Sequence, residues 1–328
     1  MEESIASRAK IKKYSETLEK IKKEVERAVV GQKVIVESIL RGLIADGHVL
    51  VEGVPGIAKT LLIRTLGEAT GCKTKRIQFT IDLLPSDIVG LTTYEKKRGL
   101  VFVKGPVFAN FLIADEINRA SSKTQSALLE AMQEKIVTIA KTNYPLPLPF
   151  FVMATQNPIE SSGVNALPEA QVDRFLFKLN MPYPSGEEEM KIMKDNITLK
   201  KFEDFKIRPV TTPAQILEMQ AAVKKIYLSP EIERYIVSLV AATREKNKKF
   251  SMAKYIYLGS SPRASIGLFI ASKAQAMMEG KNYVTPSHVK IVAPDVLRHR
   301  ILLNYEGQAE NVQVDDIIKE LLSKTPVP

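Results

Sequence analysis

The sequence predicts an α/β domain with a parallel sheet, followed by a smaller all-helical domain. Three observations lead there. Short apolar runs of strand length alternate with helical patterns up to Met181, the signature of strands joined by crossover helices. Several of those runs are continuously apolar rather than alternating, which suits strands buried on both faces. The alternation stops at the Met181-Pro182-Tyr183-Pro184 break, and from about residue 211 apolar positions recur only at helical spacing.

The elements follow in order. Residues 15–45 read as helical: Ile21, Val25, Ala28 and Val29 share one face, and Ile35, Ile39, Leu40 and Leu43 resume the stripe after Val30-Gly31-Gln32. Five strands are expected at residues 48–52 (HVLVE), 76–79 (RIQF), 110–115 (NFLIAD), 150–155 (FFVMAT) and 175–179 (FLFKL). A helix at 122–135 carries Leu128, Leu129 and Met132 on one face. Ser185 and Glu188 form a capping box for the helix after the break. Beyond residue 211 the segments 213–227, 230–246, 262–280 and 285–301 are helical, with Gly280 suited to a helix end and Thr285-Pro286 to a helix start. The whole is placed as residues 1–198 and 199–328. No internal repeat is visible.

Composition narrows the function classes. The chain has 328 residues, an apolar share of 45% and a net charge of +10. That basic balance favours polyanions such as nucleotide phosphates. The lysines are mixed with glutamate, however, and the densest run, residues 244–249, reads as the solvent end of a helix. Without tryptophan, and without aromatics among the basic clusters, nucleic acid is not the expected partner. Cys72 is the single cysteine, which fits a reducing compartment. The start has no apolar signal region, and no apolar run approaches the ~18 residues of a membrane span. A cytoplasmic location is expected. His48, His288 and His299 form no metal-ligand grouping, and packing accounts for them; Cys72 is expected to be a buried small residue rather than a nucleophile.

Five stretches carry the chemistry. Residues 49–62 (VLVEGVPGIAKTLL) run from an apolar strand through Gly53, Val54, Pro55, Gly56, Ile57 and Ala58 to Lys59, Thr60 and Leu61. This nearly matches the phosphate-binding pattern, with alanine where a glycine should precede the lysine. Lys59 would reach the β- and γ-phosphates and Thr60 would ligate Mg²⁺. A left-handed alanine costs roughly 1–2 kcal/mol relative to glycine. An ordinary strand-to-helix turn is the alternative.

The second stretch, residues 111–116 (FLIADE), ends a buried strand in two carboxylates at the edge of the sheet where ligands bind. Asp115 would hold Mg²⁺ through its water shell and Glu116 would act as general base on the attacking water. A pair of helix-capping acids is the competing explanation. The third, residues 151–158 (FVMATQNP), ends another apolar strand in amides, and Asn157 is placed to orient that water. In the fourth, residues 167–175 (LPEAQVDRF), Arg174 precedes a strand. In the fifth, residues 259–263 (GSSPR), Arg263 opens a helix, where a cation opposes the helix dipole and so answers to something else.

In this order and register the chain resembles an AAA+ ATPase, and within that group the MoxR family. The match covers nearly the whole sequence and rests on VVGQ (29–32), GVPGIAKT (53–60), RIQFTIDLLPSDIVG (76–90), GPVFANFLIADEINRASSKTQSALLEAMQE (105–134), ATQNPIE (154–160), LPEAQVDRF (167–175), GSSPRAS (259–265) and VLRHRI (296–301). MoxR proteins commonly carry alanine before this lysine, so the resemblance implies a working P-loop. It further implies a P-loop NTPase core with a five-stranded parallel sheet between helices, and a helical lid. Val30, Gly31 and Gln32 would lie near the adenine. Asn157 would be sensor 1, Arg174 an arginine finger acting on ATP of the neighbouring subunit, and Arg263 sensor 2, reporting nucleotide state from the lid. Residues 84–104 would be the insert in helix 2, and 135–149 a hairpin before sensor 1. ATP and Mg²⁺ are the implied cofactors. A homo-oligomer, as a hexameric ring, and a von Willebrand factor A domain protein are the implied partners. Ser121-Ser122 departs from the family pattern, where prolines are frequent.

The expected activity is ATP hydrolysis at subunit interfaces, driving chaperone-like maturation or cofactor insertion in partner complexes. A nucleic-acid-stimulated motor, a magnesium-chelatase-like ATPase subunit and a non-hydrolysing nucleotide-gated scaffold are the alternatives.

Overall fold

The computed structural model describes residues 7–54, 56–96, 99–139, 141–157, 165–195, 201–244 and 250–328. Pro55, most of the 244–249 basic run, residues 158–160 of the sensor stretch and the expected domain boundary at 198 lie outside the described residues.

The elements run α1 (Arg8–Glu26), α2 (Lys33–Ile44), β1 (Val49–Glu52), α3 (Lys59–Ala69), β2 (Thr74–Gln78), α4 (Pro85–Val89), β3 (Gly90–Glu95), β4 (Gly99–Lys104), β5 (Phe111–Asp115) and α5 (Ser122–Glu134). They continue through β6 (Ile136–Ile139), β7 (Thr142–Pro145), β8 (Phe151–Gln156), α6 (Glu169–Val172), β9 (Phe177–Asn180) and α7 (Gly186–Lys194). The last part holds α8 (Pro213–Lys224), α9 (Pro230–Ala242), β10 (Ile256–Leu258), α10 (Pro262–Met278), α11 (Pro286–Leu297), β11 (Leu302–Leu303), α12 (Tyr305–Ala309) and α13 (Val314–Lys324).

Five strands form one parallel sheet in the order β2-β5-β8-β1-β9. Residue type explains the order. The central strands FLIAD, FVMATQ and VLVE are buried almost throughout, because helices cover both faces. The edge strand β2 (TKRIQ) keeps Lys75 and Arg76 exposed, and the edge strand β9 (FKLN) pairs its half-buried Lys178 with Glu52. Phe111, Phe151 and Phe177 are fully buried on one face of the sheet, each worth about 1.5–3 kcal/mol of burial. The hairpin expected at 135–149 is present, with β6–β7 pairing Ile136 to Ile139 with Pro145 to Thr142, and the expected insert at 84–104 contains a second hairpin, β3–β4, pairing Gly90 to Glu95 with Lys104 to Gly99.

Several local expectations are met. The Ser185 hydroxyl accepts from the Glu188 N–H and the Glu188 carboxylate accepts from the Ser185 N–H, so the capping box opens α7. Gly280 adopts φ +70° just past α10, and Thr285-Pro286 starts α11. The first helix begins earlier than the apolar stripe suggests, at Arg8.

One expectation is corrected. The region after residue 211 is not helical throughout, since β10 and β11 form a short antiparallel pair with Ile256 opposite Leu303. Three apolar residues between a 3-10 turn and a glycine are too few to display a period of two. The two regions also share one core. Residues of α1 and α2 (Ile11, Leu18, Ile39, Leu43) belong to the same apolar cluster as Leu268, Val292 and Val296 of α10 and α11. A polar tie reinforces it: the Ser38 hydroxyl donates to Asp295 at 2.8 Å, and Arg41 donates to Gln275 at 2.8 Å.

Candidate functional site: a two-compartment cleft and a separate arginine face

At the carboxyl edge of the sheet, β1 leads through residues 53–58 into α3. Gly56 and Ala58 both adopt positive φ, +85° and +63°. Ala58 occupies the N-cap position and offers no side-chain cap, and the first turn of α3 contains no acid. The leading N–H groups of α3 therefore face the loop without a competing carboxylate, the condition for holding an anion. Lys59 donates to the Gly53 carbonyl at 2.5 Å. Burial lowers the Lys59 pKa while Asp115, Glu116 and Glu52 oppose that shift.

The acids stand beside this loop. Asp115 closes β5, and Glu116 turns away from the strand with φ +56°. Thr155 on neighbouring β8 donates to Asp115 Oδ1 at 2.6 Å and accepts from the Glu116 N–H at 2.9 Å. On the other side, Arg76 of β2 donates to Asp115 Oδ2 from Nε at 3.1 Å and from Nη2 at 2.7 Å. Gln78 donates to Glu116 Oε2 at 2.7 Å and accepts from Arg76 at 2.7 Å. Arg119 also donates to Glu116, at 3.0 Å. Lys59, Thr60, Arg76, Asp115, Glu116 and Asn157 line one cleft of about 390 Å³.

Thr155, Arg76 and Gln78 were not singled out from the sequence. Only the β2–β5 register puts Gln78 beside Asp115, and with it the polar end of that edge strand beside the acids.

A second, more apolar compartment of about 420 Å³ adjoins the first and shares Gly56 and Ala58 with it. Val30, Gln32, Ile57, Leu61, Tyr183 and Pro184 are among its walls. Gln32 is held by donating to the Pro182 carbonyl at 3.0 Å. Gly31, Gly53 and Val54 support the compartments without lining them. Gly31 adopts φ +72°, and a Cβ there would stand 2.6 Å from the Glu188 carboxyl group.

An apolar slot joined to a cleft that offers Lys59 and the leading N–H groups of α3 fits a nucleotide base with its phosphates. For magnesium, which normally takes one or two protein oxygens plus phosphate and water, Thr60 would be a direct ligand, and Asp115, whose oxygens already accept from Thr155 and Arg76, would reach the ion through water.

Arg174 and Arg263 are not in this cleft. Arg174 lies three residues before β9, whose first residue Phe177 pairs with Val49, the first residue of β1. It therefore sits at the amino edge of the sheet, while Lys59 follows the carboxyl edge. Arg174 and Arg263 line a different pocket of about 290 Å³ together with Asp46, Lys135, Asp173 and Arg300. Arg263 Nη1 is 3.7 Å from Asp173 Oδ2, which accounts for a cation placed in the first turn of α10.

Cys72 and His48 behave as packing residues. Burial pushes the Cys72 thiol up to about 11. His48 donates from Nε2 to the Met132 carbonyl at 3.0 Å and accepts the Val152 N–H on Nδ1 at 3.1 Å. Burial lowers its pKa to about 4.

Comparison with known proteins agrees with this geometry. Residues 48–177 match the model of the ATPase family associated with various cellular activities (AAA), and residues 250–321 match the AAA lid domain. The chaperone MoxR1 of Mycobacterium tuberculosis is 44% identical over 316 residues, spanning 95% of this chain and 82% of that protein. The MoxR protein of Methylorubrum extorquens is 28% identical over 94% of each chain. A solved protein from Cytophaga hutchinsonii superposes with a TM-score of 0.91 at 43% identity, covering 98% of this chain and 97% of the other. Among the described residues no helix is long and apolar enough to cross a membrane. With the P-loop, the paired acids and the lid all in register, the chain belongs to the MoxR family of AAA+ ATPases.

Proposed function

We propose that this chain hydrolyses ATP·Mg²⁺ at the junction between two copies of itself, and that the cycle drives chaperone-like remodelling of a partner protein. The observation that carries the reading is the separation of Arg174 and Arg263 from Lys59, Asp115 and Glu116. The two sets stand at opposite edges of one sheet, so an arginine at the amino edge serves the phosphates of another subunit. A closed ring satisfies every junction at once, and six copies are proposed on the resemblance to the family.

Each residue then has a role. The loop N–H groups and Lys59 hold the triphosphate, with Gly53 to Leu61 shaping the cradle. Thr60, and Asp115 through water, would hold Mg²⁺, which when bound would draw charge from the phosphate oxygens. Glu116 takes the proton of the attacking water, and Asn157 orients that water. Val30, Gly31 and Gln32 place the base in the apolar slot. Arg174 of the neighbour neutralises charge developing on the γ-phosphate, where such fingers are worth about 10³–10⁵ in rate. Arg263 joins it from the lid, so that lid position depends on nucleotide state.

The β3–β4 hairpin supports a protein client. Tyr94 and Leu100 pair across it and are 70% and 77% exposed, an apolar surface that a protein client would cover. A von Willebrand factor A domain protein as co-worker, and a cytoplasmic site of action, are proposed on the family resemblance alone.

The test is the ATPase rate per subunit against protein concentration, with Arg174→Ala alongside and with or without DNA. A steep rise that Arg174→Ala abolishes, indifferent to DNA, is expected. A concentration-independent rate, unaffected by the substitution, overturns the junction; strong stimulation by DNA replaces the protein client with a nucleic-acid track.

A further inference from the structure

The turn that follows α11, residues 298–300, grips the segment that carries Arg174. Arg298 donates to the Lys178 carbonyl at 2.5 Å. His299 donates from Nε2 to the Phe175 carbonyl at 3.1 Å. Arg300 does most. Its Nη2 donates to the carbonyls of Asp173 at 3.1 Å and Phe175 at 2.7 Å, the residues on either side of Arg174. Its Nη1 reaches the Leu176 carbonyl at 3.2 Å and also the Val296 carbonyl of its own helix. Its Nε donates to Asp173 Oδ1 at 2.7 Å.

The Asp173 carboxylate carries the link onward. Its Oδ2 accepts from the Ser261 hydroxyl at 2.9 Å and stands 3.7 Å from Arg263. The Arg300 side chain is only 4% exposed, whereas Arg263 is 50% exposed and Arg174 is exposed as well. A buried guanidinium with a full set of acceptors has one low-energy arrangement. The two exposed arginines are thus mounted on one buried fixture, built from the lid and attached to the core chain on both sides of Arg174.

We propose that Arg300, with Asp173, is a positioning residue that makes the lid the support of Arg174 and joins Arg174 and Arg263 into a single unit. The inference rests on the reading that Arg174 acts across a subunit junction. Its consequence is that a lid displacement in one subunit moves the arginines offered to the next subunit's phosphates, while leaving the first subunit's own cleft intact. A misplacement of about 1 Å costs about 10²-fold in rate.

The test uses Arg300→Lys and Asp173→Asn in the full chain, after their melting curves have been recorded. Expected for each is a kcat reduced about 10²-fold, with KM for ATP within twofold of the parent. Adding either change to Arg174→Ala should cost less than it does in the parent, because the part of its effect that runs through Arg174 is already lost. Each variant mixed with Glu116→Gln should give a rate above the sum of the two alone, since the Glu116→Gln subunit offers a correctly held Arg174 to the variant's intact cleft. Plain loss of structure would not be rescued this way.

Arg174→Ala mixed with Glu116→Gln is the control. If that control fails to recover, the junction itself is wrong and this inference falls with it. If the control recovers but Arg300→Lys and Asp173→Asn keep the parental kcat, or raise KM, or show no rescue, the positioning role is overturned and the junction stands.

Discussion

Thr155 links the two carboxylates of the cleft: its hydroxyl donates to Asp115 Oδ1 at 2.6 Å while accepting the Glu116 main-chain N–H at 2.9 Å. The residue is fully buried, and one hydroxyl thereby fixes both where β5 ends and how Glu116 leaves it. Thr155→Val keeps the shape and removes both bonds. A lowered kcat is expected, together with a stability loss of about 1–3 kcal/mol for the groups left unpaired. Urea denaturation and phosphate release read the two effects separately; unchanged values in both would show the bridge to be idle.

Glu116→Gln preserves size and the bond from Gln78, with the amide oxygen as acceptor, but removes the base. Turnover should fall by about 10²–10⁴, with nucleotide affinity within a few fold of the parent. Binding of a fluorescent ATP analogue and a phosphate-release assay check the pair of outcomes. Rapid turnover in this variant would move the general base elsewhere.

Ala58 holds a left-handed backbone, φ +63°, against a cost of roughly 1–2 kcal/mol for a residue with a Cβ. Glycine removes that cost but brings back about 0.4–1 kcal/mol of unfolded-chain entropy. Ala58→Gly should therefore stabilise the protein by up to about 1.6 kcal/mol in denaturant titrations. A loss of stability would mean that the methyl group earns its place by packing.

His48 supplies the pH dependence. Burial holds its pKa near 4, against an ordinary 6.5, so between those values the unfolded chain binds a proton that the folded chain does not. Stability accordingly falls as pH drops from about 6.5 toward 4, by up to about 3 kcal/mol from this group. His299 is shifted in the same direction by burial and the nearby Arg300, so the parent alone does not isolate the effect. His48→Gln keeps a donor and an acceptor and should flatten the slope over that window; an unaltered slope would assign it to other groups.

Much of this was legible beforehand, for identifiable reasons. FLIAD and FVMATQ declare buried strands because nothing else accommodates such runs beside acids and amides, and the capping box at Ser185 and Glu188 is a local event that local residues specify. Thr155, Arg76 and Gln78 escaped because their meaning lies in cross-strand register, which appears only once β2, β5 and β8 are aligned. The placement of Arg263 beside Arg174 escaped for a similar reason. The two are 89 positions apart, and only the docking of α10 and α11 against the approach to β9 brings them to one pocket. β10 was invisible because three residues cannot show a period.

β2 forms one margin of the sheet, fringed by Lys73, Lys75 and Arg76, all exposed. A naked strand margin is an invitation to further strands from other chains. Here a second copy presenting the same margin meets like charge, so accretion of sheet upon sheet is discouraged even when many copies are crowded together. Self-association through this margin is thereby disfavoured relative to contacts made by side chains on helices and loops.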